Sequence, residues 1–234
     1  PRSTRKESSA ASDVYKRQLL IKSRKLDKNQ NLTVADLIEE QVDKNPDLIA
    51  LQYDIQQFTY RELDQESNKV ANWAIDKGYK HGDVISLLME NKPEFLFTWI
   101  GLSKLGVTIA CLNSNIKGNS LAHCIGTSQS SSIIIGPECV ENYSSAVDQL
   151  EKKIDAFVFG DNTQGFENIK SDNETRPNKT HRKDLVNTES LFYIYTSGTT
   201  GLPKASKFNH SRFIAGASLP VSYTHLTLPT TPYV

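Results

Sequence analysis

Ten consecutive residues carry the groups best suited to chemistry. They read Tyr195-Thr196-Ser197-Gly198-Thr199-Thr200-Gly201-Leu202-Pro203-Lys204. Glycine lets the backbone take geometries closed to other residues and approach a ligand closely. A concave array of N–H and hydroxyl donors binds anions, and the Lys204 ammonium adds a full positive charge suited to outer phosphates. The pattern therefore predicts a phosphate-binding loop.

The order of the residues separates this loop from a Walker A motif. That motif places Lys directly after the last Gly and Ser or Thr directly after the Lys. Here Leu202 and Pro203 intervene, and Ala205 follows Lys204. The competing interpretation is a Ser/Thr/Gly linker that includes a lysine by chance. A buried-strand pattern at Ser190–Tyr195, immediately before the loop, favours the binding loop.

The elements that must position the loop alternate between helix and strand. Thr33 is a candidate N-cap for the first helix, which runs to Asn45-Pro46. Alternation at this pace predicts an α/β fold with a mostly parallel sheet covered by helices. The later predicted helices are 60–77, 93–105, 121–127 and 140–150, and the strands are 49–53, 57–59, 84–89, 107–111, 131–135, 156–159 and 190–195.

Composition excludes several classes of protein. Of 234 residues, 38% are hydrophobic and 23% charged, which is typical of a globular chain. Lys+Arg and Asp+Glu both total 27, so a general nucleic-acid binder is disfavoured. Three cysteines without CxxC spacing give no sign of a zinc site. No acidic residue follows Glu189, so nothing there competes for the charge of Lys204.

The most apolar stretch, Phe95–Leu112, approaches the length of a membrane span. Lys104 near its middle would cost roughly 2.5–3.5 kcal/mol on insertion. Gly106 followed by β-branched residues predicts instead a helix, a break and a buried strand. The polar residues 161–184 lack periodicity, which predicts a solvated loop rather than a binding element.

The segment YTSGTTGLPKA resembles the signature loop of the adenylate-forming (AMP-binding) superfamily, which includes acyl-CoA synthetases and luciferase-like ligases. Four further stretches resemble its very-long-chain acyl-CoA synthetase or fatty acid transport protein branch: Asn68-Lys69-Val70-Ala71-Asn72, Gly82-Asp83-Val84, Met89–Ile125, and His210-Ser211-Arg212. One departure is that Ser206–Asn209 is more polar than the apolar run expected after the loop.

This resemblance implies a two-step ligation. ATP and a fatty acid carboxylate form an acyl-adenylate and pyrophosphate, and the CoA thiol then displaces AMP. By position, the ATP phosphates would be lined by Thr196, Ser197, Gly198, Thr199, Thr200, Gly201 and Lys204. Lys204 would meet the β/γ end, and Thr196 is the candidate Mg²⁺ contact. Packing is the favoured role of Tyr195, while His210 is either near the substrates or structural.

The resemblance also implies the organisation of the chain. Residues 19–220 would form part of an adenylation domain, the N-terminal part of the large domain. Residues 1–18 and 221–234 resemble translated adaptor sequence and are treated as flanks. The family's later YG-x-TE-type segment, hinge and catalytic lysine have no counterpart after Lys204. We therefore expect a fragment that is inactive alone, with its acyl and CoA sites elsewhere.

Two other functions fit the same residues. The chain could belong to an adenylate-forming ligase for another carboxylate, such as an amino acid or aryl acid. It could also be a non-catalytic fatty acid binding or transport module. The branch resemblance implies an intracellular protein without nucleic-acid partners. Peripheral membrane association of the longer protein, at the endoplasmic reticulum, peroxisome or plasma membrane, is expected from the same resemblance.

Overall fold

Helices and strands alternate along the chain as the sequence predicts. The structure is a computed structural model and describes residues 30–160, 165–196 and 203–217. Its α-helices are α1 (Val34–Lys44), α2 (Tyr60–Asp76), α3 (Pro93–Ser103), α4 (Gly118–Ser128), α5 (Val140–Val147) and α6 (His210–Ala217). Its strands are β1 (Ile49–Tyr53), β2 (Gln56–Thr59), β3 (Val84–Leu88), β4 (Thr108–Leu112), β5 (Ser132–Ile135), β6 (Asp155–Val158), β7 (Glu167–Asn168), β8 (Ser190–Thr196) and β9 (Lys204–Asn209).

The first helix begins where the sequence predicts. The Thr33 hydroxyl accepts a hydrogen bond from the backbone N–H of Asp36, and the Asp36 carboxylate accepts one from the N–H of Thr33. Thr59 and Glu62 form the same reciprocal pair at the start of α2. Each pair satisfies backbone donors that a helix leaves without partners at its first turn. The Thr33 cap is therefore confirmed.

Seven strands form the main sheet, in the order β7-β6-β5-β3-β4-β8-β9. Every neighbouring pair from β7 to β8 is parallel, and only β9 runs antiparallel, against β8. The carboxyl ends of six strands therefore share one edge of the sheet. β1 and β2 form a separate antiparallel hairpin.

Helices cover both faces of this sheet. Side chains of α2 and α3, such as Trp73 and Leu102, pack in one cluster with Ile134 of β5. The neighbouring Ile133 and Ile135 point the other way and join a second cluster with α4 and α5. This alternation explains why the central strands read as continuous apolar runs, since both of their faces are buried.

The apolar stretch Phe95–Leu112 divides as predicted into a helix, a break and a strand. α3 ends at Ser103, Gly106 takes a φ of +73°, and β4 begins at Thr108. Lys104 is fully buried, and its Nζ donates to Asp64 Oδ1 at 2.6 Å. Within the parts of the chain that the structure describes, no helix is both long and apolar enough to cross a bilayer.

Most of residues 165–184 are exposed, as a solvated loop requires, but the segment also contains regular structure that the sequence did not predict. It contains β7 and a 3-10 turn at Lys179–Arg182, and Arg182 is buried with only 4% of its surface exposed. The cause is tertiary, because carboxylates on α1 lie where the guanidinium reaches them. The rest of the predicted loop, residues 161–164, lies outside the described residues, as do the proposed flanks 1–18 and 221–234.

Candidate nucleotide site at the β8–β9 hairpin

The predicted phosphate loop connects two paired strands. β8 and β9 are antiparallel, and the last pair in their register is Thr196 with Lys204. Residues 197–203 therefore join the two strands at the end of a hairpin. Five predicted phosphate-contacting residues, Ser197, Gly198, Thr199, Thr200 and Gly201, lie outside the described residues. The structure brings the two remaining ones, Thr196 and Lys204, opposite each other at the base of the loop.

The hairpin is anchored at the start of β8 and exposed at its loop end. Leu191 and Phe192 at the start of β8 are buried, and β8 pairs in parallel with β4 through Ile109, Ala110 and Cys111. Thr196 and Lys204 are both exposed. The two residues that flank the loop therefore face solvent, at the end of a strand that is fixed in the sheet.

The loop leaves the carboxyl edge of the parallel sheet. The neighbouring strand β4 ends at Leu112 on the same edge and is followed by a turn in which Asn115 N–H donates to Asn113 Oδ1 at 2.8 Å. A cavity of about 520 Å³ opens there, between the ends of β3 and β4. Open α/β sheets bind ligands in crevices outside the carboxyl ends of their strands.

The electrostatics at the hairpin end favour an anion. Within residues 30–160, 165–196 and 203–217, Lys204 has no carboxylate in ion-pair distance. Lys207 lies three residues further along β9, with its Nζ 5.8 Å from the centre of the Tyr193 ring. An exposed, unpaired ammonium beside a hydroxyl suits a phosphate group.

The described residues do not supply a carboxylate-rich metal site. Across the described ranges, no three His, Cys, Asp or Glu side chains come together in an arrangement that could hold a metal ion. The Thr196 hydroxyl is the predicted Mg²⁺ contact, and it is exposed at the end of β8. We assign no chemical step to a metal.

Tyr195 packs rather than facing the loop. Its hydroxyl donates to the backbone carbonyl of Cys124 at 2.8 Å, and its ring lies against the cluster formed with α4 and α5. Burial raises the pKa of this phenol. The favoured packing role of Tyr195 is confirmed, and the side chain ties β8 to α4.

His210 is a structural residue at the far end of the hairpin. It is 2% exposed, and its Nδ1 accepts a hydrogen bond from the N–H of Val34, the first residue of α1, at 3.2 Å. The backbone N–H of His210 donates to the backbone carbonyl of Glu189. Burial lowers the pKa of His210 to about 4, although Glu189 and Asp36 oppose the shift. Of the two roles that the sequence left open for His210, the structure therefore supports the structural one.

Sequence reasoning missed two residues that hold the start of β8. The Glu189 carboxylate accepts from the N–H of Val186 and lies 2.8 Å from His81 Nε2, in the loop before β3. Burial alone would raise the pKa of Glu189, but the hydrogen bonds from Val186 and His81 outweigh it, so the pKa is lowered. A His and a Glu more than a hundred residues apart give no pattern that a single sequence could reveal.

Comparison with known families settles the class of protein. A family described as "AMP-binding enzyme" matches residues 38–230, well over half of the chain. The chain belongs to the AMP-binding enzyme family. The family match thus confirms the resemblance that the signature loop indicated.

Curated relatives of this AMP-binding chain are long-chain fatty acid transport proteins. Long-chain fatty acid transport protein 1 of Rattus norvegicus is 38% identical over 164 residues, covering 67% of this chain and 25% of the relative. Long-chain fatty acid transport protein 2 of Rattus norvegicus is 35% identical over 195 residues, covering 80% of this chain and 32% of the relative. The chain thus spans about a third or less of these relatives.

Solved structures show the same fold. An anthranilate CoA ligase in complex with anthranoyl-AMP superposes with a TM-score of 0.66 at 21% identity, covering 77% of this chain and 35% of that one. At this identity the likeness speaks for the fold alone. The predicted α/β fold of an adenylate-forming enzyme, with a mostly parallel sheet, is confirmed.

Proposed function

We propose that this chain supplies the ATP-phosphate loop of a long-chain or very-long-chain fatty acid CoA ligase. The observation that carries the proposal is the β8–β9 hairpin, in which Thr196 and Lys204 pair at the carboxyl edge of a parallel sheet. Family membership supports adenylate chemistry, and the names of the curated relatives support a fatty acid as the carboxylate. The activity is proposed for the protein that carries this chain.

The reaction requires a carboxylate to attack the α-phosphorus of ATP. Two anions must be brought together, and the departing pyrophosphate must be stabilised. We assign Thr196, Ser197, Gly198, Thr199, Thr200 and Gly201 to the phosphates through their N–H and hydroxyl donors, and Lys204 to the β/γ end. Donors held in place before the reaction lower the cost of the charge that develops on the leaving group.

The remaining partners belong to the same proposal. Thr196 is our candidate contact for the Mg²⁺ that accompanies ATP, and CoA is the substrate of the second step, in which its thiol displaces AMP. Charging a fatty acid with CoA makes a bulky polar thioester that leaves the membrane less easily. Ligation would therefore favour fatty acid uptake, with the protein attached peripherally to an intracellular or plasma membrane.

Separate substitutions of two lysines on β9 test the assignment of the phosphate loop. Lys204→Ala should weaken ATP binding by about tenfold or more, because an ammonium that meets phosphate oxygens is lost. Lys207→Ala is the matched control, since Lys207 is an exposed lysine of the same strand that lies over Tyr193. Calorimetric titration with MgATP measures both variants. Equal affinities for the two variants would remove the role of Lys204.

Product analysis tests the substrate class. The protein that carries this chain, at its full encoded length, should release AMP and form acyl-CoA when given ATP, CoA and a long-chain fatty acid. AMP release with an amino acid or aryl acid, but not with a fatty acid, would favour a ligase for another carboxylate. Fatty acid binding without any dependence on nucleotide would favour a transport module instead.

A further inference from the structure

Two asparagines of the Asn68–Asn72 stretch bind the backbone of a distant segment. Asn68 and Asn72 lie one turn apart on α2. Asn68 Nδ2 donates to the carbonyl of Glu174 at 2.8 Å, and Asn72 Nδ2 donates to the carbonyls of Asn173 and Thr175 at 2.8 and 2.9 Å. Three consecutive carbonyls are therefore held by two side-chain amides. We call residues 173–182 the clasp segment.

A buried ion pair fixes the orientation of Asn68. Asn68 Oδ1 accepts a hydrogen bond from Lys104, so its Nδ2 points toward the clasp segment. Lys104 also pairs with Asp64, whose second oxygen accepts from Nε and Nη2 of Arg176 at 3.2 Å each. The clasp segment therefore contributes Arg176 to this ion network and the Glu174 carbonyl to the hydrogen bond from Asn68.

Arg182 holds the other end of the clasp segment. Its Nη2 lies 2.7 Å from Glu39 Oε2 and 3.0 Å from Asp36 Oδ1, both on α1. Its Nη1 donates to the carbonyl of Lys104 at 3.1 Å, just after α3. The guanidinium is nearly inaccessible to solvent, so these contacts are shielded from screening. The segment is therefore fixed at both ends against three helices.

The clasp segment leads directly into the strand that carries the phosphate loop. Leu185 is buried just beyond it, and the N–H of Asn187 donates to the carbonyl of Gln30 at 2.6 Å. β8 then begins at Ser190, whose carbonyl accepts from Thr108 Oγ1 at 2.9 Å. Between Arg182 and β8 only seven residues intervene. A shift of the clasp segment would be transmitted to β8.

We propose that Asn68 and Asn72 are positioning residues for nucleotide binding, because they hold the clasp segment that sets β8 and the phosphate loop. The inference rests on the proposed function, since it gives these amides a role in ATP binding. It also assigns a task to a sequence stretch that the phosphate loop leaves unexplained. Coupling between two sites is reciprocal, so ATP binding must in turn stabilise the clasp segment.

Substitutions at Asn72 separate positioning from a merely structural role. Asn72→Ala removes the amide donor, and Asn72→Asp keeps the shape while replacing the donor with an acceptor. Both variants should raise the Kd for MgATP by about five- to twentyfold at a temperature where circular dichroism shows the protein folded. A structural role alone would lower the unfolding temperature and leave the Kd of the folded protein unchanged.

Gln65→Ala is the matched control. Gln65 lies on the same helix and bonds the same residue, Glu174, but through its side-chain carboxylate rather than its backbone. This variant should keep the wild-type Kd. Hydrogen exchange supplies the reciprocal readout: MgATP should slow exchange of the amides in residues 173–182 of the wild type and not in Asn72→Asp.

The outcomes distinguish the two proposals. If the wild-type protein does not bind ATP at all, the proposed function fails. If the wild type binds ATP and both Asn72 variants bind it within twofold of the wild-type Kd, the positioning role is wrong while the function stands. If Gln65→Ala weakens ATP binding as much as Asn72→Ala, the effect is a general one of α2 and the role of the amides is likewise wrong.

Discussion

His210 illustrates how a single residue is decided by its surroundings. The sequence left it open between a substrate contact and a structural role. The structure buries it against the first turn of α1, where its Nδ1 accepts the Val34 N–H. A ring nitrogen that accepts a hydrogen bond must be unprotonated, and burial disfavours the charged form further. The side chain is therefore a neutral acceptor in the folded protein.

Protonation of His210 should make the fold sensitive to acid. Its pKa is about 4 when folded against 6.5 for the ordinary group, so the unfolded state binds the proton more tightly. The stabilising contribution is complete above pH 6.5, falls as the pH drops toward 4, and is lost below that. The total is about 3 kcal/mol of unfolding free energy, at roughly 1.4 kcal/mol per pKa unit.

Denaturant unfolding between pH 7 and pH 4 measures this effect. His210→Asn offers a carbonyl oxygen as acceptor that does not titrate, so its stability should fall less steeply with pH than that of the wild type. His181→Asn is the control, because His181 is exposed. Parallel pH curves for His210→Asn and the wild type would contradict the assigned role.

At the scale of elements, the packing of α2 against α3 depends on Gly101. A Cβ added to Gly101 of α3 would lie 2.5 Å from the carbonyl oxygen of Ser67 and 2.9 Å from Cβ of Val70, both on α2. Neither atom belongs to a flexible side-chain end, so the helices themselves would have to separate. The absence of a side chain at Gly101 is therefore what lets α2 and α3 pack.

Gly101→Ala should lower the free energy of unfolding by about 1–3 kcal/mol, as overpacked cores do. Gly126 of α4 is the matched control, because a Cβ there would meet no atom within 4 Å. Gly126→Ala should stabilise by about 0.5–1 kcal/mol, since alanine is the better helix former. Urea unfolding of both variants measures whether the changes in unfolding free energy have opposite signs. A neutral or stabilising Gly101→Ala would show that α2 and α3 pack less tightly than the structure indicates.

At the scale of the whole molecule, buried charge connects parts of the chain that are distant in sequence. Asp64 on α2, Lys104 after α3 and Arg176 in the clasp segment meet in one network, with 0% of the Lys104 side chain exposed. Burial lowers the pKa of Lys104, and the Asp64 carboxylate opposes that shift. A buried ammonium of this kind depends on its carboxylate partner.

Removal of Asp64 and removal of Lys104 should lower the free energy of unfolding by different amounts. Asp64→Leu leaves Lys104 fully buried with an amide oxygen as its remaining partner, and should cost about 3–5 kcal/mol of unfolding free energy. Lys104→Met should cost less, because Asp64 keeps the Arg176 guanidinium. Chemical denaturation of both variants and of the double variant measures the order. A larger loss for Lys104→Met would contradict this account.

The sequence determined the local features of this protein. Helix starts at Thr33, apolar strands and the glycine–hydroxyl–lysine order of the loop are set by neighbours in the chain, so each could be predicted, and the family followed from that order. Only the tertiary structure decided the neutral state of His210, the burial of Arg182 and the partners of Asn68 and Asn72. Those properties arise from contacts between residues that lie from 36 to 176 positions apart, and a single sequence carries no pattern that records which distant groups will meet.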